Sequence, residues 1–165
     1  MSIIRDCMKT NIVSVSDRAT LKQALTLVVK HHIGTLPVVN DSGTLMGVLE
    51  LKGFLALVMP DFVEIMDRFD FVHDFGDLEI WKPSEQELEQ PVQRFIKPAI
   101  FVNENAGLLR AAALLYNHKL LDLPVIDQSG KLVGIASLVD VGTAIMKSWA
   151  RANRKEPSSG SGGAE

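Results

Sequence analysis

The chain has one cysteine, Cys7, in 165 residues, so it can form no internal disulfide and suits a reducing compartment. No apolar run approaches the roughly 18–20 residues that span a bilayer, so membrane insertion is not expected. The opening Met1-Ser2-Ile3-Ile4-Arg5-Asp6 lacks the charged and apolar regions of a secretory signal. The expected address is the cytoplasm. Positive charge is sparse, with 17 Lys and Arg against 20 Asp and Glu, and only Arg151, Arg154 and Lys155 cluster. A nucleic-acid partner needs a basic face or stripe, so none is expected. A Gly-rich phosphate loop, a nucleophile elbow and a metal-ligand cluster are also missing. His31, His32, His73 and His118 show no ligand spacing with a carboxylate on the same face. His31 and His118 fall at expected helix C-termini, where positive charge is favourable. Cys7 has no catalytic partner nearby and reads as an ordinary thiol. Neither catalysis nor a resident metal or cofactor is expected.

What the chain does have is a duplication. Adding 87 to a position in residues 10–59 gives its counterpart in 97–146 without a gap. Leu36-Pro37-Val38 falls on Leu123-Pro124-Val125, Ser42-Gly43 on Ser129-Gly130, and Gly47 on Gly134. A match that keeps turn residues and their spacing marks a repeated structural unit. The hydrophobic fraction of 47% and charged fraction of 22% are those of a globular protein. The expected division is a first repeat over 1–59, an insert over 60–95, a second repeat over 96–150 and a flexible tail over 151–165.

Each copy reads β-α-β-β-α, an α+β arrangement. In the first, a strand is expected over 12–15, with Ser16 or Asp17 capping a helix whose Leu21, Ala24, Leu25 and Val28 form one apolar face. Gly34 suits a left-handed turn after that helix. Leu36-Pro37-Val38-Val39 is the second strand, with its proline at the start, where no ladder donor is needed. The turn Asn40-Asp41-Ser42-Gly43 leads to an antiparallel strand and a helix from about Leu51, stopped by Pro60. The second copy repeats these elements, from a strand near 100–102 to a helix running from about Leu138 toward Ala150. Two copies packed through their sheets would make one domain with a pseudo-twofold axis and a cleft between them.

The string Leu-Pro-Val followed by a Gly-containing turn and an apolar-Gly-apolar strand occurs in both copies, between amphipathic helices. It resembles the cystathionine-β-synthase (CBS) domain, used in tandem as a Bateman module, over about 5–59 and 94–150. The resemblance implies a regulatory module that binds AMP, ADP, ATP or S-adenosylmethionine between the copies. The family's ribose signature, Ser/Thr-x-x-Asp after the last strand, is present as Ser137-Leu138-Val139-Asp140. The first copy has Glu50-Leu51-Lys52-Gly53 instead. One good site and one degenerate site are implied. The resemblance assigns adenine to the backbone of Pro98-Ala99-Ile100, with Leu121, Pro124 and Val139 as wall. Phosphate would meet Leu121-Asp122, where a carboxylate is repulsive; this favours a nucleoside without phosphate, such as S-adenosylmethionine. His118 and Lys119 could offset that charge or face solvent. Ser137 and Asp140 have a second reading, as the N-terminal cap of the last helix.

The insert holds 10 Asp or Glu against 3 Lys or Arg. A helix is expected over 60–69, with Phe62, Ile65, Met66 and Phe69 on one stripe. Ser84-Glu85-Gln86-Glu87 is a capping box opening a second short helix, which Pro91 limits. Phe71, Phe75 and Trp81 add aromatic bulk for the domain's own core, a dimer interface or a docking surface. The expected assembly is a homodimer acting on a regulated protein. The alternative is a dimerisation or interaction module that binds no nucleotide.

Overall fold

The computed structural model describes residues 2–58 and 83–153. The expected helix over 60–69, His73, the aromatics Phe71, Phe75 and Trp81, and the tail beyond Asn153 lie outside them.

Proline fixes the length of the first strand in each repeat. Strands Thr35–Val39 (β2) and Leu45–Glu50 (β3) form an antiparallel pair in which Pro37 faces Val48. The Val48 N–H and C=O both bond to the Lys97 backbone, at 3.0 and 2.9 Å. Pro37 and Val48 are therefore a non-hydrogen-bonded pair, and the Pro37 nitrogen points away from β3. It carries no N–H, so a parallel ladder on that side cannot run back past Val38. Strand β1 is accordingly Val15–Ser16, paired with Val38 and Val39. This corrects the expected strand over 12–15 and the expected place of proline: Pro37 is interior to the central strand, and β1 is what stops short.

The second repeat repeats this arrangement. Strands Val102–Asn103 (β4), Asp122–Ile126 (β5) and Leu132–Ser137 (β6) make a sheet of order β4-β5-β6, matching β1-β2-β3. Pro124 faces Ile135, whose N–H and C=O bond to Lys9 at 3.0 and 2.8 Å. Both hairpins shift register at equivalent places, Val38/Val39 and Val125/Ile126. Both turns are held by one side-chain acceptor. Asn40 Oδ1 accepts from the Ser42 and Thr44 N–H groups, and Asp127 Oδ1 from those of Ser129 and Lys131. Gly43 and Gly130 supply the positive φ of 81° and 83° that these turns need.

The helices are Leu21–His31 (α1), Leu51–Val58 (α2), Glu85–Leu88 (α3), Leu108–Asn117 (α4) and Leu138–Asn153 (α5). Helix α1 begins later than the sequence suggests, because Thr20 and Gln23 form a reciprocal cap; the Gln23 N–H reaches Thr20 Oγ1 at 3.3 Å and the Thr20 N–H reaches Gln23 Oε1 at 3.0 Å. Ser16 instead accepts from the Arg18 N–H in the preceding turn. The left-handed residue after α1 is His32, with φ 52°, and not Gly34. Its equivalent Lys119 has the same φ. The next N–H in each case bonds five residues back, Ile33 to Val28 and Leu120 to Leu115, as in a Schellman ending. The Ser84–Glu87 capping box opens α3 as its spacing predicts.

The chain forms two compact units, Val13–Ala99 and Met1–Ile12 with Ile100–Glu165. These are not the repeats in chain order. The first twelve residues open the first repeat but pack on the second: Ile4, with no exposed surface, joins Val102, Leu123 and Val125, and its N–H bonds to Ala106. The corresponding Val92 joins Val15, Leu36 and Val38, and its N–H bonds to Ala19. Each leading segment thus completes the core of the other repeat. The 3-10 turns Ile4–Asp6 and Val92–Arg94 are offset by 88 residues, so the spacing changes by one before β1 and β4.

Candidate functional site

The junction of β6 and α5 differs in its polar residues from its counterpart in the first repeat. The Leu138 N–H bonds to the Leu121 carbonyl at 2.8 Å, as Leu51 bonds to Gly34 in the first repeat. This ties the start of α5 to the residue before β5 and sets Ser137 opposite Asp122 in the sheet register. Ser137 and Asp140 then cap each other. The Asp140 N–H donates to Ser137 Oγ at 3.1 Å; Asp140 Oδ2 accepts from the Ser137 N–H at 3.0 Å and its hydroxyl at 2.7 Å. Capping is therefore a real role of this pair. Lys9 Nζ approaches the same Oδ2 at 3.5 Å.

Burial raises the Asp140 carboxyl, but the Ser137 hydroxyl and N–H, with the nearby Lys9 charge, outweigh it and hold the carboxyl below its ordinary value. Asp140 is thus an ionised acceptor whose contacts converge on one oxygen.

The same junction in the first repeat is filled differently. Glu50 stands where Ser137 does, and its carboxylate pairs with Lys97 Nζ at 3.5 Å. Gly53 stands where Asp140 does, and a Cβ there would lie 3.5 Å from that nitrogen. Lys97 is the structural counterpart of Lys9, so both lysines serve the helix junction, and only the second repeat offers them an aspartate.

A cavity of about 620 Å³ opens beside α5, with Val139, Asp140, Lys147 and Arg151 on the helix and Asp6 and Cys7 opposite. Burial first, then the charges of Asp140 and Asp6, push the Cys7 thiol up, so it stays protonated. Sequence reasoning did not connect Lys9, Asp6 or Cys7 to Asp140, because they lie more than a hundred residues away along the chain. Of the other expected site residues, Leu121 is exposed, Asp122 is half-buried on β5 and Pro124 is fully buried. Ile100 belongs to the unit of the second repeat, whereas Pro98 and Ala99 belong to that of the first.

The CBS domain family matches residues 4–59 and 92–147. The chain belongs to the CBS-domain family. It is similar to the CBS domain-containing protein YhcV of Bacillus subtilis, at 29% identity over 143 residues, 86% of this chain and 84% of that one. It is also similar to the chloroplastic CBSX2 of Arabidopsis thaliana, at 28% over 148 residues, 84% of this chain and 60% of the relative. The crystal structure of CBSX2 in complex with AMP aligns with a TM-score of 0.66 at 26% identity, covering 90% of this chain and 99% of that one. A CBS domain pair solved with 5′-methylthioadenosine and S-adenosyl-L-methionine aligns at 0.63, with 14% identity and 90% and 98% coverage, a likeness of fold. The α+β architecture, with its two three-stranded mixed sheets, is that of a CBS pair, a Bateman module built on an internal repeat. Among the described residues, no helix is long and apolar enough to cross a membrane.

Proposed function

We propose that this CBS pair is a regulatory module that takes an adenosyl ligand at the Ser137–Asp140 junction and thereby changes what a partner protein meets. The observation that carries this reading is the Asp140 carboxylate, ionised and on a cavity wall, whose hydrogen bonds and ion pair among the described residues fall on Oδ2 alone. Oδ1 can accept from a ribose hydroxyl without breaking the cap, and charge-assisted bonds of this kind are strong. A ligand hydroxyl on Oδ1 shares the carboxylate with Lys9 on Oδ2, so binding is coupled to the Lys9 contact, as any ligand-driven shift requires. AMP in CBSX2 and S-adenosyl-L-methionine in the second pair support an adenosyl ligand. With Gly53 in place of an aspartate, the first repeat does not share the role.

A thermal-shift series with AMP, ADP, ATP and S-adenosylmethionine tests the reading. Ligand at 100 times its dissociation constant stabilises by about 2.7 kcal/mol. The comparison is with Asp140→Asn, which keeps the cap and removes the charge. A shift lost in the variant supports the ribose role, and no shift with any ligand overturns it.

The rival reading, an interaction module without nucleotide, draws on the same site, because Ser137 and Lys9 already satisfy the carboxylate. In either reading we infer a homodimer. Leu109 and Tyr116 on α4 are 81% and 82% exposed, and Met146 and Trp149 on α5 are 63% and 62% exposed. Large apolar side chains exposed on two helices in contact are a common basis for association.

A further inference from the structure

The exposed face of α1 carries charge that its counterpart in the second repeat does not. Lys22, Leu25, Thr26, Val29 and Lys30 line an open groove of about 440 Å³, and Leu88 of α3 forms its other side. Their spacings put all five on one side of the helix. In the second repeat, the same positions hold Leu109, Ala112, Ala113, Tyr116 and Asn117. The lysines are thus particular to the first repeat. Helix α1 holds no carboxylate of its own to offset them.

One end of this face is in use, and its occupant shows what the face accepts. Leu88 lies against the groove, and the carboxylates of Glu85 and Glu89 reach Lys22 Nζ at 3.4 and 3.7 Å. Helix α3 is therefore a short acidic helix with one apolar anchor. The last turns of α1 offer the same chemistry again. Val29 is 72% exposed, and among the described residues Lys30 has no ion-pair partner. A second copy of this chain suits the groove poorly. Two α1 faces meeting about a twofold axis would bring lysines toward lysines, and α4 has no carboxylate for Lys30. We propose that the α1 face docks an acidic amphipathic helix of a partner protein, its apolar anchor between Leu25 and Val29 and a carboxylate on Lys30. Exposed ion pairs are weak singly, so the anchor supplies most of the affinity and Lys30 the selectivity. This surface lies in the unit of the first repeat, so it stands or falls apart from the Asp140 site.

The test is fluorescence anisotropy of the full chain with a labelled synthetic peptide as probe. The peptide carries the Ser84–Gln90 run in tandem copies, so that its leucines fall on one helical face. Two control peptides replace its glutamates by glutamine or its leucines by alanine. The parent should bind the probe saturably, and each control at least about tenfold more weakly. Lys30→Glu should weaken the probe about fivefold and Val29→Asp about tenfold, with the circular dichroism spectrum unchanged. Tyr116→Lys, on the face of the other repeat, should leave binding as it is. A glutamine peptide that binds as tightly as the probe overturns the proposal, and so does binding that ignores both Lys30→Glu and Val29→Asp. Absence of binding by the parent overturns it too. The titration is then repeated on the full chain carrying Phe62→Ser, Ile65→Ser, Met66→Ser and Phe69→Ser. Binding gained there assigns the groove to the chain's own acidic insert, and no binding removes it as a docking surface.

Discussion

Lys9 Nζ lies 3.5 Å from Asp140 Oδ2, the oxygen that also accepts the Ser137 hydroxyl at 2.7 Å. One carboxylate oxygen therefore caps a helix and anchors the segment that begins the chain.

Asp140→Ala and Asp140→Asn separate these roles. Alanine removes an acceptor of the reciprocal cap and should cost about 1 kcal/mol in urea unfolding. Asparagine keeps an acceptor for the Ser137 N–H and should cost less than half of that. Equal losses from the two would show that the charge, not the cap, stabilises this end of α5.

Acid should weaken the protein partly through this group. Its carboxyl is held below the ordinary value when folded, so its contribution is complete above the usual aspartate range near pH 4 and disappears as the pH falls through the lower folded value. Glu87 and Asp127 are shifted the same way, the first mainly by the Ser84 N–H and the second mainly by the Ser129 hydroxyl. Unfolding free energy measured from pH 2 to 7 should therefore rise less steeply in Asp140→Asn than in the parent. Parallel curves would remove Asp140 from the acid response.

Gly47 and Gly134 are equivalent in sequence but not in tolerance. A Cβ at Gly47 would come within 2.6 Å of the Lys97 carbonyl oxygen, a backbone atom with nowhere to go. At Gly134 it would meet the Met8 side chain, which can rotate away. Gly47→Ala should destabilise by about 2 kcal/mol and Gly134→Ala by clearly less, as read from denaturant midpoints.

The left-handed residues offer the opposite effect. His32 and Lys119 have φ of 52°, which a side chain makes unfavourable. Lys119→Gly should raise stability by about 0.5–1 kcal/mol, because relief of strain exceeds the extra freedom gained by the unfolded chain. His32→Gly should do the same. A loss of stability in both would mean that their side chains contribute contacts that outweigh the strain.

The exposed apolar face predicts an effect on assembly. Tyr116→Lys combined with Trp149→Lys should shift the mass measured by light scattering from two chains to one, with the circular dichroism spectrum unchanged. An unaltered dimer would place the interface elsewhere.

The duplicated pattern made the repeat and its hairpins legible in the sequence, because turn residues and glycine spacing are local signals, and the Ser137–Asp140 cap was legible from its three-residue spacing. The short first strands were not legible. They depend on which side of β2 the Pro37 nitrogen faces, and that follows from the Val48–Lys97 pairing. The cap at Thr20 was overlooked because Ser16 and Asp17 present equally good cap chemistry a few residues earlier. The partnership of Lys9 with Asp140 could not be read from periodicity, since it joins the two ends of the described chain.

The exchange of leading segments makes the duplication indivisible. Neither repeat, cut from the chain with its own leading segment, would contain a complete core: one would lack Val92 and the other Ile4. The chain leaves the unit of the second repeat at Ile12 and enters that of the first at Val13, four residues after Lys9. Lys9 and β1 are thus joined by a short stretch of backbone. A ligand proposed at Asp140 would therefore act close to the backbone that joins the two units.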